Sequence, residues 1–134
     1  MLIIFPLNLR INSFDKIFIN PARQTNLIFF LFRKEIKKIH ITKDEAAEFY
    51  KVHQTKPFYN DLCEYLSSGP IVAMILQKNN AIIANRELMG ATNPKDANEG
   101  TIRKRYGISI DKNSIHGSDS IENAKIEIDF FFKD

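Results

Sequence analysis

The chain has few cysteines and glycines and no long apolar run. Its single cysteine, Cys63, excludes an internal disulfide framework and a cysteine-rich zinc site. With 5 Gly and 5 Pro in 134 residues, the composition is not that of a collagen-like or low-complexity protein. No segment reaches the roughly 18 to 20 consecutive apolar residues that a membrane helix needs. The apolar start at residues 1–6 lacks the basic region and cleavage site of a signal peptide, so we expect a cytoplasmic protein without a membrane span.

Charge is also nearly balanced along the chain. Nineteen Lys and Arg residues face 16 Asp and Glu residues, which gives a formal net charge of +3 and a pI near 9.0. No dense basic run accompanies this excess, so nucleic-acid binding is the weakest functional hypothesis. At 44% hydrophobic residues the chain is apolar enough to fold, and its length predicts a single domain over residues 1–134.

The first 36 residues differ in composition from the rest. They hold 6 of the 11 Phe residues and no glycine, since the first glycine of the chain is Gly69. Their apolar residues follow no clear period: residues 17–19 are a candidate strand, and residues 27–32 are a candidate for either a strand or a short helix. This segment is the atypical part of the predicted domain.

Local signals agree with one another from residue 37 onward. Residues 38–41 are a candidate strand, and Thr42 with Glu45 forms the pattern of a capping box, which predicts a helix over residues 43–53. A second helix carries Phe58 and ends at Gly69. The apolar run at residues 71–76 predicts a strand that is covered on both faces.

The later elements are shorter and more interrupted. Residues 81–84 are candidates for a brief pairing with that strand, and Pro94 occupies a position favoured at the start of a helix. Further helical stretches are predicted at residues 85–89 and 101–106. A final amphipathic helix over residues 121–131 is predicted to be capped by Ser118 or Asp119, with a closing strand at residues 130–132 as the alternative.

Apolar periodicity does not explain one histidine, His116, which lies where an anion could bind. His116 precedes the final helix and is followed by glycine, where backbone amides and the helix dipole favour an anion. Neutral imidazole is nucleophilic near physiological pH, so this side chain could attack a phosphoryl group. A capping or packing role for the same histidine is the alternative that the residues alone leave open. His40 and His53 show no metal-ligand spacing with it.

Four motifs in order resemble the nucleoside diphosphate kinase family over residues 37–132. They are NRELMGATNP at residues 85–94, GTIR at 100–103, NSIHGSDS at 113–120 and ENAKIEI at 122–128. The resemblance implies a ferredoxin-like α/β sandwich, an antiparallel sheet with helices on one face. It also implies transfer of the γ-phosphate from a nucleoside triphosphate to a nucleoside diphosphate by a ping-pong phosphohistidine mechanism. Its members are homo-oligomers, which implies a tetramer or hexamer here.

The same resemblance assigns roles to individual residues. It implies that His116 accepts the phosphate, that Glu127 holds the other ring nitrogen, and that Tyr50 lies close to both the histidine and the phosphates. The nucleotide contacts that it implies are Arg86, Thr92 and Arg103 on the phosphates, Asn113 on the sugar and Phe58 stacked on the base. Mg²⁺ would be carried on the nucleotide phosphates without a set of protein ligands.

One family motif is not recognisable in this chain. The family begins with a strand that leads into Lys-Pro-Asp, whose lysine touches the transferring phosphate, and residues 1–36 show no such context. The loss of one preorganised donor commonly slows an enzyme by about 10²- to 10³-fold. The alternative function is therefore a catalytically impaired nucleotide-binding or assembly subunit.

Overall fold

A four-stranded antiparallel sheet forms the centre of the molecule. The structure is a computed structural model that describes residues 2–6 and 32–133. Within these residues the strand order is β2-β3-β1-β4, and each neighbouring pair is antiparallel. The strands are β1 (Leu2–Pro6), β2 (Phe32–Ile39), β3 (Ile71–Gln77) and β4 (His116–Gly117).

The first strand is an inner strand of this sheet. Ile4 pairs with Ala73 of β3 on one side and with His116 of β4 on the other. The strand that the family resemblance leads us to expect at the amino terminus is therefore present, although the sequence pattern did not identify it. The candidate strands at residues 17–19 and 27–31 lie outside the described residues, while Phe32 begins β2. The single domain over residues 1–134 stays a prediction.

Five α-helices are found among the described residues. They are α1 (Lys43–Phe49), α2 (Tyr59–Ser67), α3 (Ala81–Met89), α4 (Ile102–Tyr106) and α5 (Ile121–Phe132), with a short 3₁₀ helix at Lys51–His53. None of the helices in the described part of the chain has the length and apolar character needed to cross a lipid bilayer.

The predicted capping box at the start of α1 is confirmed. The Thr42 hydroxyl accepts from the Glu45 amide at 3.2 Å, and the Thr42 amide donates to the Glu45 carboxylate at 2.7 Å. Both orphan amides at the helix start are thereby satisfied. The α-helix ends at Phe49 and the chain continues as a 3₁₀ helix to His53, so the helix predicted over residues 43–53 is divided at Tyr50.

Alternate side chains of β3 enter two separate cores. Ile71 and Ala73 pack with α1, α2 and α5 on one face, whereas Val72, Met74 and Leu76 pack with α3 and α4 on the other. This alternation is the period of two that a pleated strand imposes. It confirms the strand covered on both faces. The antiparallel sheet with packed helices is the predicted ferredoxin-like sandwich, with α3 and α4 in addition on the second face.

Two of the predicted local elements were wrong. Residues 81–84 begin α3 instead of pairing with β3, because Asn80 adopts a left-handed conformation (φ 56°) and Ala84 bonds back to the Asn80 carbonyl at 3.0 Å. No helix starts at Pro94, where the Asn93 side chain instead accepts from the Lys95 amide at 3.2 Å and closes a turn.

The final helix is confirmed, with a different cap. Ser120, not Ser118 or Asp119, caps α5 by accepting from the Asn123 amide at 3.0 Å. Residues 130–132 continue this helix, so the alternative of a closing strand is wrong.

Candidate active site

His116 lies in the two-residue strand β4, paired with Ile4 of the inner strand β1. Residues 117–120 separate it from the first residue of α5, so it does not stand directly at the helix amino terminus as the sequence suggested. Pairing with β1 holds the backbone of His116 in place. The His116 side chain remains 26% exposed.

A carboxylate from α5 holds one nitrogen of the imidazole. His116 Nε2 lies 2.8 Å from Glu127 Oε1, and Glu127 Oε2 accepts a hydrogen bond from the hydroxyl of Ser118. Ser118 is completely buried, which fixes the far side of the carboxylate. Because a carboxylate only accepts, Nε2 is the protonated nitrogen in this arrangement. The neutral ring then carries its lone pair on Nδ1.

Two aromatic side chains at the end of α1 enclose the same ring. The Phe49 and Tyr50 centroids lie 5.2 Å and 6.2 Å from that of His116, both in edge-on geometry. Burial, with a smaller contribution from the negative charge of Glu127, raises the pKa of Tyr50. The Tyr50 phenol is therefore a neutral group beside the histidine throughout the physiological pH range.

Arg103 of α4 ties two segments of the site together. Its Nη1 donates to the Gly90 carbonyl at 3.0 Å and its Nη2 to the Ile115 carbonyl at 3.1 Å, one residue before His116. Its Nε is buried and has no partner among the described residues. Burial, aided by the charge of Arg86, lowers the pKa of Arg103 to about 10, so the guanidinium stays charged at pH 7.

These side chains surround a cavity of about 300 Å³. Six of the eight residues that the sequence proposed for the site line it: Tyr50, Phe58, Thr92, Arg103, Asn113 and His116. Glu127 stands behind His116 through the hydrogen bond described above. Arg86 is exposed and does not line the cavity, yet its positive charge contributes to the lowered pKa of Arg103.

Both His116 and Phe58 line the cavity. Tyr50 and Phe58 both pack near His53, with ring centroids 6.2 Å and 6.3 Å from its imidazole. Phe58 is 37% exposed, so it is accessible to a ligand. Asn113 donates from its amide nitrogen to the Ile110 carbonyl at 2.9 Å, which orients the amide oxygen. Polar side chains and an exposed aromatic ring thus line the same cavity.

Sequence reasoning missed several residues of the site. Ile4, His53 and Asp111 line the cavity, and Ser118 holds Glu127. Ile4 is brought in by strand pairing between segments distant in sequence, for which the pattern gave no signal. The sequence pattern suggested that Ser118 caps the final helix, so its hydrogen bond to Glu127 of α5 was not predicted.

Within residues 2–6 and 32–133, no group of three or more His, Cys, Asp or Glu side chains is placed to hold a metal ion.

Comparison with known proteins gives consistent matches along most of the chain. A sequence model of the nucleoside diphosphate kinase family matches residues 23–134. The nucleoside diphosphate kinase of Rhizorhabdus wittichii is 60% identical over 97 residues, which cover 72% of this chain and 69% of that protein. That of Persephonella marina is 58% identical over 97 residues, with the same coverage of 72% and 69%.

Solved structures agree with the sequence matches. The Aquifex aeolicus nucleoside diphosphate kinase superimposes with a TM-score of 0.87 at 36% identity, over 98% of this chain and 93% of that one. The enzyme of Encephalitozoon cuniculi gives a TM-score of 0.83 at 31% identity, over 99% of this chain and 88% of that one.

Proposed function

Because this chain belongs to the nucleoside diphosphate kinase family, we propose that His116 is the residue that carries the phosphate in its reaction. The chain is a phosphotransferase that moves the γ-phosphate of a nucleoside triphosphate to a nucleoside diphosphate. The observation that carries the proposal is the 2.8 Å contact between Glu127 and Nε2 of His116, whose side chain lines the cavity.

The contact determines which atom of His116 reacts. With Nε2 protonated and bonded to Glu127, the lone pair on Nδ1 attacks the γ-phosphorus of a bound triphosphate. The Nδ1–P bond forms as the bond from phosphorus to the bridging oxygen breaks, and the diphosphate leaves. The positive charge that develops on the ring is balanced by Glu127. A terminal phosphate oxygen of a second diphosphate then attacks the phosphohistidine and regenerates the neutral imidazole.

Side chains that line the cavity would balance the charge of the phosphates. Arg103, bonded to the Ile115 carbonyl beside His116, and Thr92 both line the cavity, and Arg86 adds a further positive charge near Arg103. Phosphoryl transfer leaves little covalent work for a protein, so positioning and charge stabilisation provide most of the catalysis. We assign these three side chains to the phosphates. Tyr50, a neutral phenol beside His116, completes the enclosure of the reacting group.

We assign two further residues of the cavity to the nucleoside. The exposed Phe58 would stack on the base, and Asn113, whose amide nitrogen donates to the Ile110 carbonyl, would contact the sugar through its amide. Stacking uses a π-face that every base has, so it accepts purines and pyrimidines alike.

Mg²⁺ enters, in this proposal, as part of the nucleotide substrate. Mg²⁺ gives up its water reluctantly and is usually held by substrate phosphates together with one or two carboxylates. When bound, it reduces the negative charge on the phosphates. Thr92, Arg103 and Asn113 are neutral or cationic groups that suit the remaining phosphate and sugar oxygens.

Labelling with γ-³²P-ATP tests the assignment of His116. The wild-type protein should form an acid-labile phosphoenzyme that unlabelled diphosphate discharges, and His116→Asn should abolish the label while leaving nucleotide affinity intact. His53→Asn is the matched control, because His53 also lines the cavity and lies 6.2 Å from Tyr50. Label that persists in His116→Asn would refute the assignment.

The labelling experiment also tests the alternative of an impaired subunit, and a separate titration with polynucleotide tests nucleic-acid binding. A catalytically impaired nucleotide-binding or assembly subunit would bind nucleotides with ordinary affinity and carry no label. A nucleic-acid-binding protein would show an affinity for polynucleotide that falls steeply with salt.

We also propose a homo-oligomer, a tetramer or hexamer, in the cytoplasm. Large apolar side chains such as Ile83 and Ile126 are 61% and 68% exposed, which favours association with further copies of the chain. The cytoplasm holds the nucleotide pools on which such an enzyme acts. Light scattering coupled to gel filtration should give a mass several times 15.5 kDa, and a monomer mass would refute the assembly.

A further inference from the structure

Asp111 is the one carboxylate among the described residues that line the cavity. It lies in a tight loop in which the Ile108 amide bonds to the Lys112 carbonyl at 2.9 Å and the Lys112 amide bonds to Ser109 Oγ at 3.1 Å. These bonds fix the backbone on either side of Asp111. The residue is half-buried and lines the cavity from this loop.

The charge of Asp111 determines which part of a nucleotide it can face. A carboxylate beside a triphosphate would repel it, and the cavity concentrates its positive charge at Arg103. Asp111 and Tyr65 also line a second hollow on the outer side of α2, together with Asp61 and Glu64. Because Tyr65 of α2 lines both hollows together with Asp111, we place Asp111 on the α2 side of the cavity, the side to which Leu62 also belongs.

We propose that the Asp111 carboxylate accepts hydrogen bonds from the Watson–Crick edge of a guanine base and makes guanine the preferred base of the enzyme. This inference rests on the proposed function, in which a nucleotide occupies the cavity with its base on Phe58. Asp111 is two residues from Asn113, the residue assigned to the sugar, so the sugar and the base edge are contacted by one loop.

Guanine is the base whose edge matches a carboxylate. Its ring N1–H and exocyclic N2–H₂ are adjacent donors, so both carboxylate oxygens can accept at once. Adenine and cytosine place an acceptor nitrogen beside their single amino group, and uracil places carbonyl oxygens on both sides of its N–H. The Asp111 carboxylate would repel the lone pairs of these acceptor atoms. Stacking on Phe58 provides affinity for every base, and Asp111 adds discrimination between them.

Inosine provides the sharpest test, because it differs from guanosine only in lacking the exocyclic amino group. We expect the wild-type phosphoenzyme to be discharged by GDP with a kcat/KM roughly tenfold above that for IDP, the effect of one charge-assisted hydrogen bond. In Asp111→Ala both rates should fall, because IDP also loses the bond from its N1–H, and the GDP to IDP ratio should fall to about 1. Asp61→Ala is the control, since it removes a neighbouring negative charge from the second hollow and not from the cavity, and it should keep the wild-type ratio.

The outcomes separate this inference from the proposed function. A phosphoenzyme that is discharged equally well by GDP and IDP in the wild type would refute the role of Asp111 and leave the kinase assignment standing. A GDP preference that survives in Asp111→Ala would refute it as well. Failure to form any phosphoenzyme would instead refute the function on which the inference rests. Equilibrium binding of GDP and IDP to His116→Asn should show the same ratio as the discharge rates.

Discussion

The imidazole of His116 can attack a phosphoryl group only through a ring nitrogen that carries no proton. Glu127 fixes that choice by accepting from Nε2, and the buried Ser118 hydroxyl fixes Glu127 in turn. The three groups come from β4, the segment after it, and α5. The choice of the reacting nitrogen therefore depends on Glu127, a carboxylate that does not need to contact the substrate.

Replacement of Glu127 by Gln should reveal this positioning role. The amide keeps the size of the side chain and loses the negative charge that stabilises the protonated ring. We expect phosphoenzyme formation to slow by about 10- to 100-fold, as is common when a carboxylate that orients a histidine is lost. KM for ATP should change little. Rapid-quench measurement of the single-turnover rate tests this, with the exposed Asp129→Asn in the same helix as control.

Much of the candidate site was predictable only through motif resemblance. Arg103, Thr92 and Asn113 lie in short motifs whose order identifies the family, and all three line the cavity. Ser118 and Asp111 lie in or beside the same motif as His116, yet their contacts depend on how α5 and α2 fold back over the loop. Such contacts are set by tertiary structure, which a local pattern does not contain.

The end of α3, the start of α4 and Ile115, which precedes His116, meet at one junction. Gly90 ends α3 with a positive φ of 82°, Thr101 caps α4, and Arg103 bonds to the Gly90 carbonyl and to that of Ile115. A Cβ on Gly90 would lie 2.4 Å from Thr101 Oγ1. The junction thus combines a backbone conformation that favours glycine with a close approach between two helices.

Two glycine substitutions separate these effects. Gly100 also has a positive φ, of 89°, but a Cβ there meets no atom within 4 Å. Gly100→Ala should therefore cost only the left-handed conformation, about 1–2 kcal/mol. Gly90→Ala should cost more, because the methyl group also displaces Thr101. Urea denaturation of both variants checks the order, and equal losses would show that the contact with Thr101 carries no cost.

The arginine of the junction has a structural role that lysine cannot replace. Arg103→Lys retains the charge but supplies one compact group in place of two diverging donors, so at least one carbonyl loses its bond. A buried group left without a partner costs about 1–3 kcal/mol. We expect a loss of stability of this size, measured by thermal unfolding. Unchanged stability together with weakened ATP binding would assign Arg103 to the ligand alone.

Element boundaries were predictable where short-range chemistry decides them. The Thr42–Glu45 capping box and the apolar run of β3 are local signals, and both are confirmed. Residues 81–84 are as apolar as a strand, but the left-handed Asn80 starts a helix there. β4 has only two residues, too few for any sequence period, and it exists because β1 offers a partner.

The whole molecule depends on its first strand. Ile4 is fully buried, pairs with both β3 and β4, and lines the cavity. The amino-terminal segment, which has the atypical composition, thus supplies an inner strand that lies between β3 and β4, the strand that contains His116. Its loss would leave unpaired backbone groups on both neighbours.

Truncation of this strand's buried side chain should destabilise the entire fold. Ile4→Ala is expected to lower the free energy of unfolding by about 2–5 kcal/mol, the usual cost of emptying a packed site. Ile108→Ala removes the same atoms from a residue that is 71% exposed, and should change stability by less than about 0.5 kcal/mol. Chemical denaturation followed by circular dichroism measures both. Equal, small effects would show that β1 is not part of the folded core.

Identification of the phosphorylated atom tests the account most directly. Phosphorus NMR of the protein, labelled by a nucleoside triphosphate and held at alkaline pH, distinguishes the two phosphohistidine isomers. The contact between Nε2 and Glu127 predicts phosphate on Nδ1 of His116, with the signal absent in His116→Asn. Phosphate on Nε2, or on a serine such as Ser118, would contradict the proposed mechanism.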